Sequence, residues 1–226
     1  MLAEPAPSLS DLALGLVVVA LAVRLGRAPA PHRHWRTSFW WAGIAALAGS
    51  LHHGVVKYSE RWAGPSWAVI SAMVVIAVSY LLAATVAEVL GPHHARTFWA
   101  LRSLGIGAYA VLALTGHAGV GALLACESLT MVCILALWGW AAWHRHPMAV
   151  PVILALVASA AAAATKAIDP SVTARVALDP TTVYHLAQIV GMVLLFWAIT
   201  RTRRPDGEPR PLLGRHGATR WQGPPG

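Results

Sequence analysis

Charge is what this sequence has least of. Charged residues make up 12% of its 226 residues, about half the roughly 25% that is ordinary in a soluble domain. Only nine of them are acidic. So little charge cannot solvate the surface of a water-soluble fold. With 57% hydrophobic residues and a mean hydropathy of +0.59, the chain reads as an integral membrane protein. Cysteine is nearly absent. Cys126 and Cys133 share one apolar stretch and, as helix residues two turns apart, cannot easily bridge, so neither a disulfide framework nor a zinc knuckle is suggested. Met1-Leu2-Ala3-Glu4 lacks the basic start of a cleavable signal, so the first apolar run reads as a retained helix. The net charge is +8, yet no basic stretch interleaves with aromatics, which argues against a nucleic-acid partner.

Long apolar runs are abundant instead. A transmembrane helix needs about 20 mostly apolar residues. Seven stretches approach this: 12–25 (adequate if it starts near Ser8), 39–56, 66–90, 98–115, 120–143, 148–167 and 180–200. They predict an all-α, seven-transmembrane-helix bundle over residues 1–202, with a disordered basic tail over 203–226 that is too rich in Pro, Gly and Arg to order itself. Eleven Trp fit the membrane–water interfaces. Asp179-Pro180 reads as an N-cap followed by proline at the first helical position, and Asp169-Pro170 repeats the pattern for a short turn. Pro65 and Pro147 suit first-turn positions.

Basic residues set the orientation. Arg24, Arg27, Arg33 and Arg36 follow the first run, Arg96 and Arg102 belong to the third connection, Arg145 to the fifth, and six arginines to the tail. These 13 fall on one side; Lys57, Arg61, Lys166 and Arg175, four in all, fall on the other. The bias predicts an inner-membrane protein with the N-terminus outside and the C-terminus in the cytoplasm.

Polar residues inside the apolar runs mark the candidate site, because ionisable groups at membrane depth are rare and functional by default. One cluster is Gly49-Ser50-Leu51-His52-His53-Gly54, and another is Tyr184-His185-Leu186-Ala187-Gln188. Adjacent helical residues diverge by about 100°, so at most one of His52 and His53 faces a given site; His53 is favoured slightly. His185 and Gln188, three apart, share a face. Glu127 stands alone in an apolar run, where a charge costs about 2.5–3.5 kcal/mol; it should be protonated, paired or metal-bound. Asp11 is expected in the first turn of the first helix, where it suits the helix dipole. The predicted topology brings Asp11, His52 or His53, Glu127 and His185 to similar depth in the outer half of the bundle.

Imidazoles and carboxylates from several helices are a common zinc ligand set, with His53, His52, His185 and Gln188 as candidate ligands. Zinc lowers the pKa of a bound water to about 7. Ser50, Glu127 and Asp11 are then candidates for orienting or deprotonating that water. The arrangement of a Ser/His cluster on the second helix and a His motif on the last resembles the superfamily of intramembrane hydrolases that includes the alkaline ceramidases and adiponectin-receptor-like proteins. An acidic residue opening the first helix (Asp11), His53-Gly54 and Tyr184-His185-x-x-Gln188 resemble more closely an uncharacterised bacterial seven-helix family. The resemblance implies a metal-dependent hydrolase acting on an amide or ester bond of a membrane lipid. The chain departs from the superfamily where a second last-helix histidine would stand, at Ile189, and lacks an aspartate on the third helix. Two alternatives follow from the residues alone: a haem electron-transfer protein with axial His53 and His185, or a non-enzymatic sensor, scaffold or small-solute transporter whose cluster binds a proton or solute.

Overall fold

The computed structural model describes residues 2–27, 33–117, 120–164 and 179–201. Among the described residues the chain is all-helical, with seven α-helices: α1 (Pro5–Arg27), α2 (Arg33–Gly54), α3 (Glu60–Val89), α4 (Ala95–Leu114), α5 (Val120–Trp143), α6 (Ala149–Ala164) and α7 (Pro180–Arg201). A short 3₁₀ turn, Val56–Tyr58, links α2 to α3. By length and composition, four helices suffice to cross a membrane: α1, α3, the segment Gly121–Trp143 of α5 and Pro180–Thr200 of α7. In lipid the backbone must satisfy its own hydrogen bonds, which long helices do.

Helix ends follow local signals. Asp179 caps α7, its Oδ1 accepting from the Thr181 and Thr182 amides at 2.9 and 3.0 Å. Gly91, at φ 109°, stops α3, and its amide reaches back to the Val86 carbonyl at 3.2 Å. Four starts, those of α1 to α4, lie earlier than the apolar runs suggest. α1 begins at Pro5, so Asp11 sits in the second turn and is buried, away from a first-turn cap. α3 begins at Glu60, so Pro65 lies inside the helix and does not open it. Asp169-Pro170, Lys166, Arg175 and the tail 203–226 lie outside the described residues.

Helix contacts close a ring in the order α1, α2, α3, α5, α6, α7 and back to α1. α4 lies outside this ring, chiefly against α5 and more lightly against α3. The densest apolar packing is at one end, where Leu25, Trp35, Phe39, Trp138 and Ile199 are fully buried and the rings of Trp35 and Trp138 lie 6.4 Å apart. Large apolar side chains such as Leu16, Val111 and Leu154 face outward, the arrangement a lipid solvent permits. The opposite end of the ring, built by the starts of α1, α3 and α7 and the end of α2, carries the polar cluster.

Candidate functional site

The site begins with the first residues of the chain. The Ala3 and Glu4 amides donate to the Gly54 and His53 carbonyls at 2.9 and 3.0 Å, using two carbonyls that the end of a helix leaves unpaired. This seats Glu4 beside α2, where His53 Nδ1 meets Glu4 Oε2 at 2.6 Å and the Lys57 ammonium donates to Oε1. The Lys57 hydrogen bond holds the Glu4 carboxyl below the ordinary carboxylate range; burial opposes this, and the His53 contact adds to it. A carboxyl depressed in this way contributes stability above its ordinary titration range, and that contribution is lost as pH falls through the lowered value.

One layer deeper, α1 meets α7. The Ser10 hydroxyl lies within hydrogen-bond distance of the Pro7 carbonyl, at 3.0 Å, and of His185 Nδ1, at 2.9 Å. The other ring nitrogen, Nε2, faces Asp11 Oδ1 at 3.2 Å. Serine, histidine and aspartate are all buried. The His53 and His185 rings are 6.3 Å apart, so the two layers touch. Gly49 on α2 makes room for the aspartate: a Cβ there would stand 2.3 Å from Asp11 Oδ2.

The remaining expected residues divide among neighbours. His52 turns to α3, with Nδ1 2.7 Å from Ser66 Oγ and its ring 5.4 Å from that of Trp67. Ser50 lies against α1, where Ser8 Oγ donates to its carbonyl at 2.9 Å and lies 3.4 Å from its hydroxyl. Gln188 leaves the cluster and faces α6, its Nε2 3.5 Å from Ser159 Oγ. Three residues along a helix turn the side chain by about 300°. On α7, wedged between α1 and α6, the remaining 60° separates two neighbours, so His185 and Gln188 serve different contacts.

Glu127 also belongs elsewhere. α5 stands across the ring from α1, and Glu127 pairs with Arg102 on the outlying α4, Oε1 to guanidinium at 3.1 Å. Arg102 also donates to Thr130 Oγ1 at 2.6 Å. Gly105 permits the approach, since a Cβ there would lie 2.6 Å from the Cys126 carbonyl oxygen and from Thr130 Oγ1. Arg102, expected among the loop charges, is therefore a buried partner within a helix. Glu127 Oε2 has no hydrogen-bond partner among the described residues.

The expected metal chemistry does not fit this arrangement. Among the described residues no three His, Cys, Asp or Glu side chains are placed to hold a metal ion. Both His185 nitrogens are engaged by Ser10 and Asp11, which leaves neither for zinc, nor for the iron of a haem shared with His53. Sequence reasoning passed over Glu4 and Ser10 as partners. Their signals were faint: Glu4 precedes the Pro5 that opens α1, and Ser10 adjoins Asp11.

No curated protein and no solved structure matches the chain. Its residues 6–204 match the model of a family of unknown function, DUF6962, and the chain belongs to that family.

Proposed function

We propose that this protein is a seven-span inner-membrane protein, N-terminus outside and C-terminus in the cytoplasm, whose outer-end cluster binds a proton in a sensor or small-solute carrier. Four helices are long and apolar enough to span. α2 packs along two of these, α1 and α3, and its 22 residues rise about 33 Å at about 1.5 Å per residue, enough for a hydrocarbon layer of about 30 Å. The excess of arginine at the α1–α2 connection and in the tail supports the orientation.

The observation that carries the functional reading is the Asp11–His185 pair. Each group alone would be expensive at membrane depth. Together they share a proton between Nε2 and Oδ1, and the second ring nitrogen is satisfied by Ser10. A graded path leads to them: side-chain exposure falls from 47% at Lys57 to 34% at Glu4, 13% at His53 and 5% at His185. Such a gradient suits proton entry from the outer surface. A lipid hydrolase, the role implied by the resemblance, would draw on the same imidazole. It is less well supported, because the Ser10 hydroxyl also bonds the Pro7 carbonyl and, among the described residues, no metal-ligand group converges on the pair.

The test is a fluorescence titration of the detergent-purified protein across about pH 5–8, the range in which histidine sites commonly change charge. Trp67 packs against His52 and His53, at ring separations of 5.4 and 6.4 Å, and is the reporter. The expected result is a transition that Trp67→Phe removes, that a metal chelator leaves unchanged, and that Asp11→Asn and His185→Gln abolish. A flat wild-type trace, or an unaltered transition in both site variants, rejects the proton-binding reading.

A further inference from the structure

At the end of the bundle opposite the His–Asp cluster, a cleft of about 580 Å³ opens between the start of α2, the end of α3 and the start of α4. It exists because α4 leans on α5 outside the helical ring and only lightly on α3. The rim carries Arg33, His34 and His94, and the floor includes Ala83, Val86 and Phe98. No carboxylate is among the described residues that line it. Arg33 is exposed and has no acidic partner among the described residues. The His34 ring stands 5.9 Å from that of Tyr80. Tyr80 also lines the cleft, nine residues before the end of α3, or about 14 Å along it at about 1.5 Å per residue.

The cleft therefore has two chemistries at two depths. Near the helix ends Arg33 and His94 present a permanent cation and an imidazole to an anion, and His34 adds an imidazole where it packs against Tyr80. The floor is apolar and runs into the depth occupied by acyl chains. A free anion would leave the floor unfilled, and a lipid without net charge would leave Arg33 without a counter-charge. Basic pockets between membrane helices commonly take anionic head groups.

We infer that this cleft binds an anionic phospholipid, its phosphate held by Arg33, His34 and His94 and one acyl chain laid along Ala83, Val86 and Phe98. The site is separate from the Asp11–His185 cluster and does not depend on what that cluster does.

Native mass spectrometry of the full chain in detergent tests this, with phosphatidylglycerol and phosphatidylcholine of identical acyl chains supplied in equal amounts. Wild type should retain phosphatidylglycerol over phosphatidylcholine by at least roughly fivefold, the ratio equivalent to the about 1 kcal/mol that one basic side chain contributes at an anionic surface. Arg33→Gln, at an exposed position where folding is not at stake, should bring the ratio towards one. Ala83→Leu, which fills the floor, should lower retention of phosphatidylglycerol without altering the charge of the rim. Inorganic phosphate at millimolar concentration should not displace the lipid. Equal retention of the two lipids by wild type, or a ratio unchanged by Arg33→Gln together with retention unchanged by Ala83→Leu, overturns the proposal. Displacement by inorganic phosphate also overturns it, because the ligand would then be the anion alone.

Discussion

Asp11 shows how much one residue depends on its neighbours. An aspartate beside serines near a helix start reads as a capping group, and nothing in its local sequence says otherwise. The structure extends α1 back to Pro5 and turns the carboxylate inward to His185 across the α1–α7 contact. Gly49 is the silent partner in this arrangement. Gly49→Ala would place a methyl 2.3 Å from Asp11 Oδ2, so the carboxylate must move or the helices must part. Overpacking of this kind costs about 1–3 kcal/mol. The expected outcome is a lower thermal midpoint in detergent, read by circular dichroism, together with loss of the pH response reported by Trp67. Gly107→Ala is the control, because a Cβ there meets nothing within 4 Å. Equal effects of the two substitutions would remove the steric argument.

At the scale of elements, the helices and most of their ends are legible because their causes are local. Apolar runs are long, Gly91 stops α3 and Asp179 caps α7. Burial alone would raise the Asp179 carboxyl, but hydrogen bonds from the Thr182 side chain and from the Thr182 and Thr181 amides hold it below the ordinary range. The cap is thus present above the usual carboxylate titration range and is lost only as pH falls through the lowered value. Asp179→Ala should destabilise the protein by about 1 kcal/mol, whereas Asp179→Asn, which keeps a cap acceptor, should cost much less; a thermal midpoint for each variant checks this. Partnerships between elements are less legible. Glu127 announces itself as a carboxylate that needs a partner, and its sequence even requires one. Which partner depends on α5 standing opposite α1 in the ring and beside α4, and so Arg102 is the partner. Gln188 fails the site for a related reason: a 60° difference in direction matters only because α7 has two neighbours.

At the scale of the whole molecule, the two ends differ in kind. One carries the dense apolar packing of Trp35 and Trp138 together with the arginine-lined cleft; the other carries buried polar groups reached through Glu4 and Lys57. A membrane would set these ends in different compartments, and the predicted orientation can be measured directly. With Cys126 and Cys133 replaced by serine, Lys57→Cys should react with a membrane-impermeant maleimide in intact cells. Arg145→Cys should react only after permeabilisation. The reverse pattern would invert the topology and place the His–Asp cluster on the cytoplasmic side.

By itself the sequence determined that this is an all-helical protein with spans suited to a membrane, where most helices end, and which polar residues are costly enough to need a partner. Those properties depend on composition, run length and capping groups, all of which act over a few residues. Only the tertiary structure decided that His53 and not His52 lies beside His185, that Asp11 and Ser10 take the two ring nitrogens of His185, and that Glu127 belongs to Arg102. Each of those outcomes depends on the direction of a side chain around its helix and on the order in which helices close the ring. Run length carries no information about either, because every position on a helix is equally local but only one face meets a given neighbour.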